Sequence, residues 1–415
     1  MNKALGVWWD RRLVGVLRVD EHGDLGFAYD DSWIADAARP AISFSLPKRG
    51  GPFNRRQARP FFAGLLPEEA QRDAVARALG ISKANDFRLL EALGGDVAGA
   101  LTLWPQGIVP RFLEGLAAAK PLSDEALVEV LDALPTRPFL AGREGMRLSL
   151  AGAQKKLPVV LVNGRVALPT PGQPTTHILK PPIDRFPATT ENEAFAMRLA
   201  AAIGLPVAPV EPREVAGHRF LLVERYDREA GADSKVRRLH QEDICQALGL
   251  PPEHKYAGEG GPTFAASFDL VRKACSRPAW AVLQLLDAAI FNLIIGNADA
   301  HGKNFSLLHT PAGVALAPLY DLMCTVAYPE ISTKMAMKIA KRATLDEFKA
   351  DTWSAFAADI GMAAPFVRRR VGELAGEAAA KAKAVADQIA AEGFDGEALA
   401  SYAAIVGWRA ETLTR

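Results

Sequence analysis

The sequence predicts an α+β protein with two lobes, the first rich in β-strands and the second mostly α-helical. Its 415 residues exceed the roughly 250–300 that one hydrophobic core usually supports. Short apolar segments bounded by turn residues recur up to about residue 226, and longer segments with helical spacing follow from about residue 236. We therefore expect an extra α+β module at 1–105, a strand-rich lobe at 106–226 and a helical lobe at 227–415.

Composition and charge exclude several classes of protein. Apolar residues make up 49% of the chain and charged residues 23%, as in globular proteins, and 49 basic residues balance 48 acidic ones. The three cysteines (Cys245, Cys275 and Cys324) lack metal-ligand spacing and indicate a reducing compartment. The longest apolar segment, 281–295, is shorter than the ~20 residues that cross a bilayer, and no signal peptide is visible at the start. We expect a soluble, cytoplasmic protein that does not bind membranes.

The amino-terminal module is predicted to combine strands and helices. Strands are expected at 5–9, 12–19, 25–29 and 98–104, with a further candidate at 42–47, and helices at 57–66, 67–79 and 84–93. The module carries no set of residues suited to chemistry. We therefore expect it to hold a partner or the second lobe.

The remaining elements follow the predicted change from strands to helices. Ser123 is the expected N-cap of a helix at 124–134, and a capping box from Thr190 to Glu193 is expected to open the next helix. A second capping box is expected from Thr344 to Glu347. The predicted strands are 157–162, 176–180, 207–215 and 219–225, a hairpin is expected at 305–317, and the predicted helices are 192–203, 241–248, 264–275, 280–295, 344–360, 365–391 and 396–406.

Two acids and an amide after the apolar run 288–296 give the first indication of chemistry. Asp299 and Asn304 are five residues apart, and Asp321 follows seventeen residues later, beyond the predicted hairpin. In protein kinases a loop Asp accepts the proton of the substrate hydroxyl, while an Asn five positions on and a later Asp hold Mg²⁺. The spacing therefore predicts an ATP-dependent kinase. The alternative, an Asp and an Asn that cap a turn after a buried helix, does not account for Asp321.

Three further segments are candidates for nucleotide binding. The loop 151–156 is built of small and basic residues and feeds a strand, so backbone N–H groups there can approach phosphate. Lys180 ends a strand 28 residues after Gly152, where a kinase places its phosphate-binding lysine; Glu191, Glu193 or neither could be its partner. An apolar strand that ends at 224–226 is a candidate hinge for adenine. Taken singly, the loop is also compatible with an ordinary hairpin turn, and Lys180 with a solvated strand end.

Together these segments resemble the HipA family of bacterial serine/threonine-protein kinases, the toxins of type II toxin–antitoxin modules. The matching sequences are SLAGAQKK at 149–156, THILKP at 176–181, VERYD at 223–227, HQED at 240–243, QALG at 246–249, GNADAHGKNF at 296–305 and PLYD at 318–321. Lys155, Leu150 and Gly302 depart from the commonest family residues, but no group needed for catalysis is missing. The resemblance spans most of the chain in the family's order.

The resemblance implies a role for each matching residue. Asp299 is similar to the family's proton acceptor, and Asn304 and Asp321 are similar to its Mg²⁺ ligands. Ser149 is similar to the serine that the family's kinases autophosphorylate; the alternative is an ordinary serine in a flexible loop. Arg143 and Arg147, which precede it, could either stabilise a phosphate there or be solvated. The residues similar to ATP-binding positions are Ala151, Gly152, Ala153, Gln154, Lys155, Lys156, Lys180, Glu224, Arg225, Tyr226, His301 and Lys303.

The resemblance also implies partners and leaves alternatives open. The family's kinases bind a HipB-like helix-turn-helix antitoxin and reach operator DNA through that complex. Their protein substrates include aminoacyl-tRNA synthetases, whose phosphorylation arrests growth. A small-molecule kinase on a similar scaffold, or a corepressor that acts only with the antitoxin, are the alternatives. The balanced charge of this chain argues against direct contact with DNA.

Overall fold

A computed structural model describes residues 3–110, 118–143, 145–231, 236–348 and 351–415. The chain divides into two compact units: unit 1 contains Met1–Pro181 and Arg213–Pro252, and unit 2 contains Pro182–Pro212 and Glu253–Arg415. The predicted α+β class is confirmed, since strands and helices occur in both units. Within the described ranges, no helix combines the length and apolar character that crossing a membrane requires. The finer division at residues 105 and 226 stays a prediction.

The first part of unit 1 is an antiparallel sheet covered by helices. Its strands are ordered β3-β2-β1-β4, and aromatic residues, among them Phe27, Trp33, Phe53, Phe61 and Phe62, are buried against it. The four strands predicted at 5–9, 12–19, 25–29 and 98–104 and the three predicted helices are confirmed within a few residues, and a short helix α1 was not predicted. The elements are β1 (Lys3–Trp9), β2 (Arg12–Val19), β3 (Leu25–Tyr29), α1 (Asp31–Ala35), α2 (Arg55–Ala63), α3 (Glu69–Leu79), α4 (Asp86–Leu93) and β4 (Leu101–Pro105).

A second sheet, ordered β6-β5-β7-β9-β8, carries the predicted nucleotide-binding segments. The next elements are α5 (Asp124–Ala133), β5 (Leu157–Val162), β6 (Arg165–Ala167), β7 (His177–Lys180), α6 (Thr189–Ala202), β8 (Val210–Val215), β9 (His218–Glu224), β10 (Arg228–Ala230), β11 (Val236–Arg238), β12 (His240–Asp243) and α7 (Ile244–Ala247). Helix α6 belongs to unit 2. Apolar residues of β5, β7 and β9 share one buried cluster with the first sheet, so unit 1 has a continuous core.

Unit 2 is mostly helical, as predicted. It contains, besides α6, the elements α8 (Phe264–Ala274), α9 (Pro278–Ile294), β13 (Ser306–Thr310), β14 (Gly313–Leu316), β15 (Lys334–Ile339), β16 (Arg342–Thr344), α10 (Thr352–Asp359), α11 (Ala364–Ala391) and α12 (Gly396–Thr414). The long helix α11 packs against α6, α9, α10 and α12. Helix α9 is buried along most of its length, because its apolar residues surround the whole helix rather than one face.

Two predicted elements of unit 1 are wrong. The strand expected at 42–47 is reduced to an isolated bridge between Ser43 and Leu46. The helix expected at 241–248 is instead the strand β12 followed by the short helix α7. Asp243 explains the second difference: its side chain caps α7 by accepting the backbone N–H of Gln246 (2.8 Å), so the helix begins after it.

Neither predicted capping box forms. Helix α6 starts at Thr189 after Ala188, whose left-handed backbone (φ 50°) turns the chain, and Thr190 and Glu193 are buried inside the helix. At the other site Thr344 ends β16, and α10 begins only at Thr352. At the first site, burial of Thr190 and Glu193 by tertiary packing overrides the local capping signal. At the second site Glu347 is exposed, and its side chain accepts the backbone N–H of Ala343 in β16 (2.9 Å).

The turn at residues 42–46 is held by a buried carboxylate. Glu242 accepts hydrogen bonds from the Ser43 hydroxyl (2.5 Å) and the Phe44 backbone N–H (2.9 Å). Burial raises the pKa of Glu242 to about 8, although these two hydrogen bonds oppose the shift. The carboxyl group is therefore largely protonated in the folded protein at neutral pH.

We expect this group to make stability depend on pH. The pKa of Glu242 in the folded protein, about 8, lies above the ordinary value of 4.5. Its favourable contribution to the free energy of unfolding is therefore fully present below pH 4.5 and is lost as the pH rises through 8. Glu242→Gln supplies a neutral side chain of the same shape and should raise the free energy of unfolding at about pH 8 by on the order of a few kcal/mol. Denaturant titrations at about pH 5 and about pH 8 measure this. The exposed Glu229→Gln is the control, and a variant as pH-sensitive as wild type would contradict the assignment.

Candidate active site

The loop that follows α9 is fixed by its own side chains. The Asn297 amide donates to Asn292 Oδ1 (2.7 Å), and Asn297 Oδ1 accepts the backbone N–H of Asp299 (3.0 Å). Gly296 has φ 71°, and a Cβ there would approach Val326 Cγ2 to 2.4 Å, so only glycine fits. The backbone of Asp299 is thus held in one position at the end of a buried helix.

The Asp299 side chain is exposed, and its Oδ1 accepts a hydrogen bond from the Tyr256 hydroxyl (3.0 Å). The Tyr256 ring also meets the His301 ring edge-on, with centroids 5.4 Å apart. Spacing arguments did not identify Tyr256, which lies 43 residues before Asp299 in a glycine-rich connection without helical or strand periodicity. The carboxylate is therefore both oriented and exposed to solvent.

Asn304 is brought back to Asp299 by a tight turn. Its backbone N–H donates to the His301 carbonyl (2.9 Å), and its Nδ2 donates to the Asp299 carbonyl (3.4 Å). With Nδ2 used in this way, Oδ1 is the amide atom suited to a hard cation such as Mg²⁺. His301, Lys303 and Asn304 are all buried.

Asp321 lies beside this turn because the β13–β14 hairpin folds the chain back. The Tyr320 hydroxyl donates to the Lys303 carbonyl (2.7 Å) and lies 2.7 Å from the Ser306 hydroxyl. The residues next to Asn304 and Asp321 are therefore in direct contact. Asp321 itself has φ 59°, a left-handed conformation that non-glycine residues rarely adopt and that often marks functional sites.

Helix α6 anchors the chain just after Asp321. Asn192 Oδ1 accepts the backbone N–H of Cys324 (2.7 Å), and its Nδ2 donates to the Cys324 carbonyl (3.0 Å) and the Tyr328 hydroxyl (3.1 Å). Sequence reasoning missed this role, since it treated Asn192 only as part of a helix start. The buried amide fixes the segment that carries the second acid.

In unit 1 Ser149 is fully buried. Its hydroxyl donates to the Leu65 carbonyl (2.7 Å), and its backbone N–H donates to the Asp96 carbonyl (3.0 Å). The predicted phosphate loop follows directly and pairs with the segment at Pro67 through a parallel bridge at Gly152. The predicted phosphate loop therefore packs against the amino-terminal module.

The predicted phosphate loop has backbone features that would allow a ligand to approach it closely. Gly152 has φ 109°, and the Lys156 ammonium folds back to donate to the Ala151 carbonyl (2.8 Å). A Cβ on Gly152 would lie 2.7 Å from Lys156 Nζ, so a side chain there would occupy the loop's interior. Ala153, Gln154 and Lys155 are partly buried in the same loop.

Lys180 and the candidate hinge lie on neighbouring strands of the second sheet. Lys180 is buried at the end of β7, where it pairs with Leu221 of β9. Its predicted partners, Glu191 and Glu193, lie in unit 2, and the choice between them stays open. The position of Lys180 in a sheet that also carries the phosphate loop agrees with a phosphate-binding role.

The three hinge residues differ in what they can offer a nucleotide. Glu224 is exposed, and the Tyr226 hydroxyl donates to Gln241. Arg225 is buried: its guanidinium donates to Asp227 (2.8 and 2.9 Å) and its backbone N–H to the Thr176 carbonyl. Contact with adenine would therefore fall mainly to Glu224 and Tyr226.

The oxygen donors suit Mg²⁺ that arrives with a nucleotide. Among the described residues, no group of three or more His, Cys, Asp and Glu side chains could hold a metal ion alone. Asn304 and Asp321 supply an amide and a carboxylate oxygen. Mg²⁺ commonly takes its remaining ligands from water and phosphates, so this donor pair fits the ion in a nucleotide complex.

Comparison with known proteins identifies the family of this chain. The family model described as the HipA-like C-terminal domain matches residues 148–386, more than half of the chain, and the HipA N-terminal domain matches residues 5–104. The chain belongs to the HipA family. The resemblance seen in the sequence is thereby confirmed.

Similar proteins extend over most of this HipA-family chain. It is 62% identical to "Putative kinase Y4mE" of Sinorhizobium fredii, over 90% of this chain and 89% of that protein. It is 33% identical to the serine/threonine-protein kinase toxin HipA of Shewanella oneidensis, over 79% of this chain and 76% of that protein. A solved structure of Shewanella oneidensis HipA with HipB and operator DNA matches with TM-score 0.84 and 28% identity, covering 98% of this chain and 96% of that one.

These similarities confirm the kinase-like α+β fold and the assignment of the chain as a serine/threonine-protein kinase of the HipA family. These similarities do not assign roles to individual residues. The structure places Asp299, Asn304 and Asp321 in unit 2 and the predicted phosphate loop, Lys180 and hinge in unit 1.

Tyr256→Phe should lower kcat about tenfold and leave KM for ATP unchanged, because it removes the hydroxyl that orients the Asp299 carboxylate. Steady-state kinetics with a protein substrate measure the effect. Tyr29→Phe is the control, since it removes a buried hydroxyl that donates to the Leu46 carbonyl in unit 1 and has no part in the candidate site. An unchanged or increased kcat in Tyr256→Phe would show that the hydroxyl does not support the carboxylate.

Proposed function

We propose that this HipA-family kinase transfers the γ-phosphoryl group of ATP, with Mg²⁺, to a serine or threonine of a cellular protein and to its own Ser149. The arrangement of Asp299, Asn304 and Asp321 carries the proposal. An exposed carboxylate lies on a loop with an amide and beside a second acid, all held by hydrogen bonds within unit 2.

In this proposal each residue has a defined task. Asp299 accepts the proton of the substrate hydroxyl and orients its oxygen toward the phosphorus. Asn304 and Asp321 hold Mg²⁺, which neutralises charge on the phosphates when bound. His301 and Lys303, buried beside Asn304, place positive or hydrogen-bonding groups next to the transferring phosphoryl group.

Unit 1 supplies the remaining candidates for binding ATP. Backbone N–H groups of the loop Ala151, Gly152, Ala153, Gln154, Lys155 and Lys156 contact the phosphates. Lys180 contacts the α- and β-phosphates, and Glu224 and Tyr226, with the backbone of Arg225, contact adenine. The open backbone at Gly152 and the buried, strand-end position of Lys180 support these roles.

Autophosphorylation of Ser149 would limit the activity of the enzyme. The Ser149 hydroxyl is fully buried and donates to the Leu65 carbonyl. Phosphoryl transfer therefore requires the Ser149–Lys156 loop to move away from these contacts. A phosphoserine carries about −1.5 to −2 charges and cannot return beside a carbonyl oxygen without a large desolvation cost. The loop would then remain displaced, and ATP would lose its phosphate contacts.

The proposed partners follow the names of the similar proteins. The Shewanella structure holds HipA with HipB and operator DNA. We propose a HipB-like helix-turn-helix antitoxin for this chain, with DNA contacted only through that complex, because 49 basic residues against 48 acidic ones give the chain little net attraction for DNA. We propose a cytoplasmic protein substrate, an aminoacyl-tRNA synthetase by family precedent.

Incubation of the purified protein with Mg²⁺ and γ-labelled ATP tests the proposal. Wild type should incorporate label that maps to Ser149, and a chelator should abolish it. Ser149→Ala should lose this label but still phosphorylate a protein in a cell extract, and for longer. Full labelling of Ser149→Ala would remove the self-limiting role alone, whereas labelling of a sugar or antibiotic and of no protein would favour a small-molecule kinase.

A further inference from the structure

Unit 1 contains a buried ionic cluster next to the proposed hinge. Two carboxylates, Asp96 and Asp227, face three guanidiniums, Arg225, Arg228 and Arg238. Their side chains are between 1% and 5% exposed. Such a cluster is costly to bury, and each partner removed leaves an uncompensated charge. Its geometry is therefore strongly determined.

The backbone of Asp96 forms hydrogen bonds to the segment that leads into the predicted phosphate loop. Its N–H donates to the Arg147 carbonyl (2.9 Å), and its carbonyl accepts the N–H of Ser149 (3.0 Å). These bonds form a parallel bridge between Asp96 and Leu148. Displacement of the Ser149–Lys156 loop would break this Asp96–Leu148 bridge.

The side chain of Asp96 holds the residues around the hinge. Oδ1 accepts from Arg228 (2.9 Å) and Arg238 (3.0 Å), and Oδ2 accepts from the Thr175 hydroxyl (2.6 Å), the Thr175 N–H (3.2 Å) and Arg225 (3.4 Å). Burial alone would raise the pKa of Asp96, but the three guanidiniums together hold it far below its usual range. The side chain is thus a fixed anion that touches Arg225, the central hinge residue.

We propose that Asp96 is a positioning residue that couples the buried position of the Ser149–Lys156 loop to nucleotide binding at Glu224–Tyr226. The inference rests on the proposed function, since it takes Glu224–Tyr226 as the adenine contact. One residue joins both segments through its backbone and its side chain, and the buried carboxylate has no solvent into which it could relax. A nucleoside that orders the hinge should therefore stabilise the buried position of the loop. By thermodynamic linkage, displacement of the loop should weaken nucleoside binding by the same factor.

Adenosine separates this coupling from direct contact. It carries the base and ribose but no phosphate, so any protection of the phosphate loop must pass through the protein. We expect saturating adenosine to slow hydrogen exchange of the 146–156 backbone in wild type roughly fivefold or more. In Asp96→Asn, exchange should be faster without ligand, adenosine should not slow it, and adenosine affinity measured by calorimetry should fall by a similar factor.

A matched variant controls for general loss of stability. Asp86 is also buried in unit 1 and bonds two arginines, Arg59 (2.7 Å) and Arg72, but has no contact with the Ser149 loop among the bonds described. Asp86→Asn should therefore keep the effect of adenosine on the 146–156 backbone. Thr175→Val removes the hydroxyl's bond to Asp96 (2.6 Å) and the bond that it accepts from Arg225 (2.9 Å), but it keeps the backbone N–H bond to Asp96. It should show the Asp96→Asn effect more weakly and serves if Asp96→Asn does not fold.

The outcomes distinguish this inference from the proposed function. Equal protection of the loop by adenosine in wild type and in the Asp96 or Thr175 variant would overturn the coupling. Wild type that binds adenosine without any slowing of exchange at 146–156 would also overturn it, while leaving the kinase proposal intact. Wild type that binds neither adenosine nor ATP would contradict both.

Discussion

Asp299→Asn should reduce kcat for phosphoryl transfer by about 10²- to 10⁴-fold, the usual contribution of a positioned general base. Asparagine has the same shape and can still accept the Tyr256 hydrogen bond, but it carries no charge to attract the hydroxyl proton. Asp299 is not among the candidates for nucleotide binding, so affinity for ATP should change less than about threefold. Single-turnover kinetics and ATP titration measure the two quantities separately.

A control for the loss of one negative charge is Asp269→Asn, on α8 in the same unit, where the side chain is 66% exposed and pairs only locally with Arg272. Its kcat should equal that of wild type. If Asp299→Asn kept more than about a tenth of wild-type kcat, Asp299 would not be the proton acceptor.

Asp321→Asn should have the second largest effect. Asparagine tolerates the left-handed backbone at φ 59°, so the substitution removes the charge without straining the chain. We expect a fall in kcat on the order of 10²-fold or more and a shift of half-maximal activity to higher Mg²⁺ concentration. Activity titrated with Mg²⁺ measures both.

Asp321→Ala provides a comparison at the same position. It should lose activity similarly but also destabilise the protein by about 1 kcal/mol, because alanine does not favour this backbone conformation. The exposed Asp346→Asn should behave as wild type. A Mg²⁺ requirement left unchanged in Asp321→Asn would remove Asp321 from the proposed metal site.

The main features of the candidate site could be predicted because its chemistry depends on local spacing. Asp299 and Asn304 must share one loop, and Asp321 must follow one hairpin, so their distances along the chain carry the signal. The hairpin and the buried α9 were equally readable, since each depends on periodicity within a few turns or strands.

The residues that support the site could not be predicted in this way. Asn192 meets Cys324 across 132 residues, and Ser149 meets Leu65 across 84. Asp96 lies in a glycine-rich turn whose sequence predicts only a change of direction. Such contacts depend on how distant segments pack, which spacing along one sequence does not encode.

Tertiary packing also overrode some strong local signals. The Thr190–Glu193 pattern has the form of a capping box, yet both residues are buried within α6. The buried position of Arg225 was equally unforeseen, because an arginine after a strand is usually solvated. In both cases a polar side chain was retained inside the fold by partners from elsewhere in the chain.

The most direct test of the central claim is transfer of the γ-phosphoryl group from labelled ATP, in the presence of Mg²⁺, to wild type and to Asp299→Asn, with the modified residue located by mass spectrometry. We predict phosphate on Ser149 of wild type and none on Asp299→Asn incubated alone. Phosphorylation of Asp299→Asn at the wild-type rate would contradict the assignment of Asp299, and no transfer from wild type to itself or to any protein would contradict the proposed kinase activity.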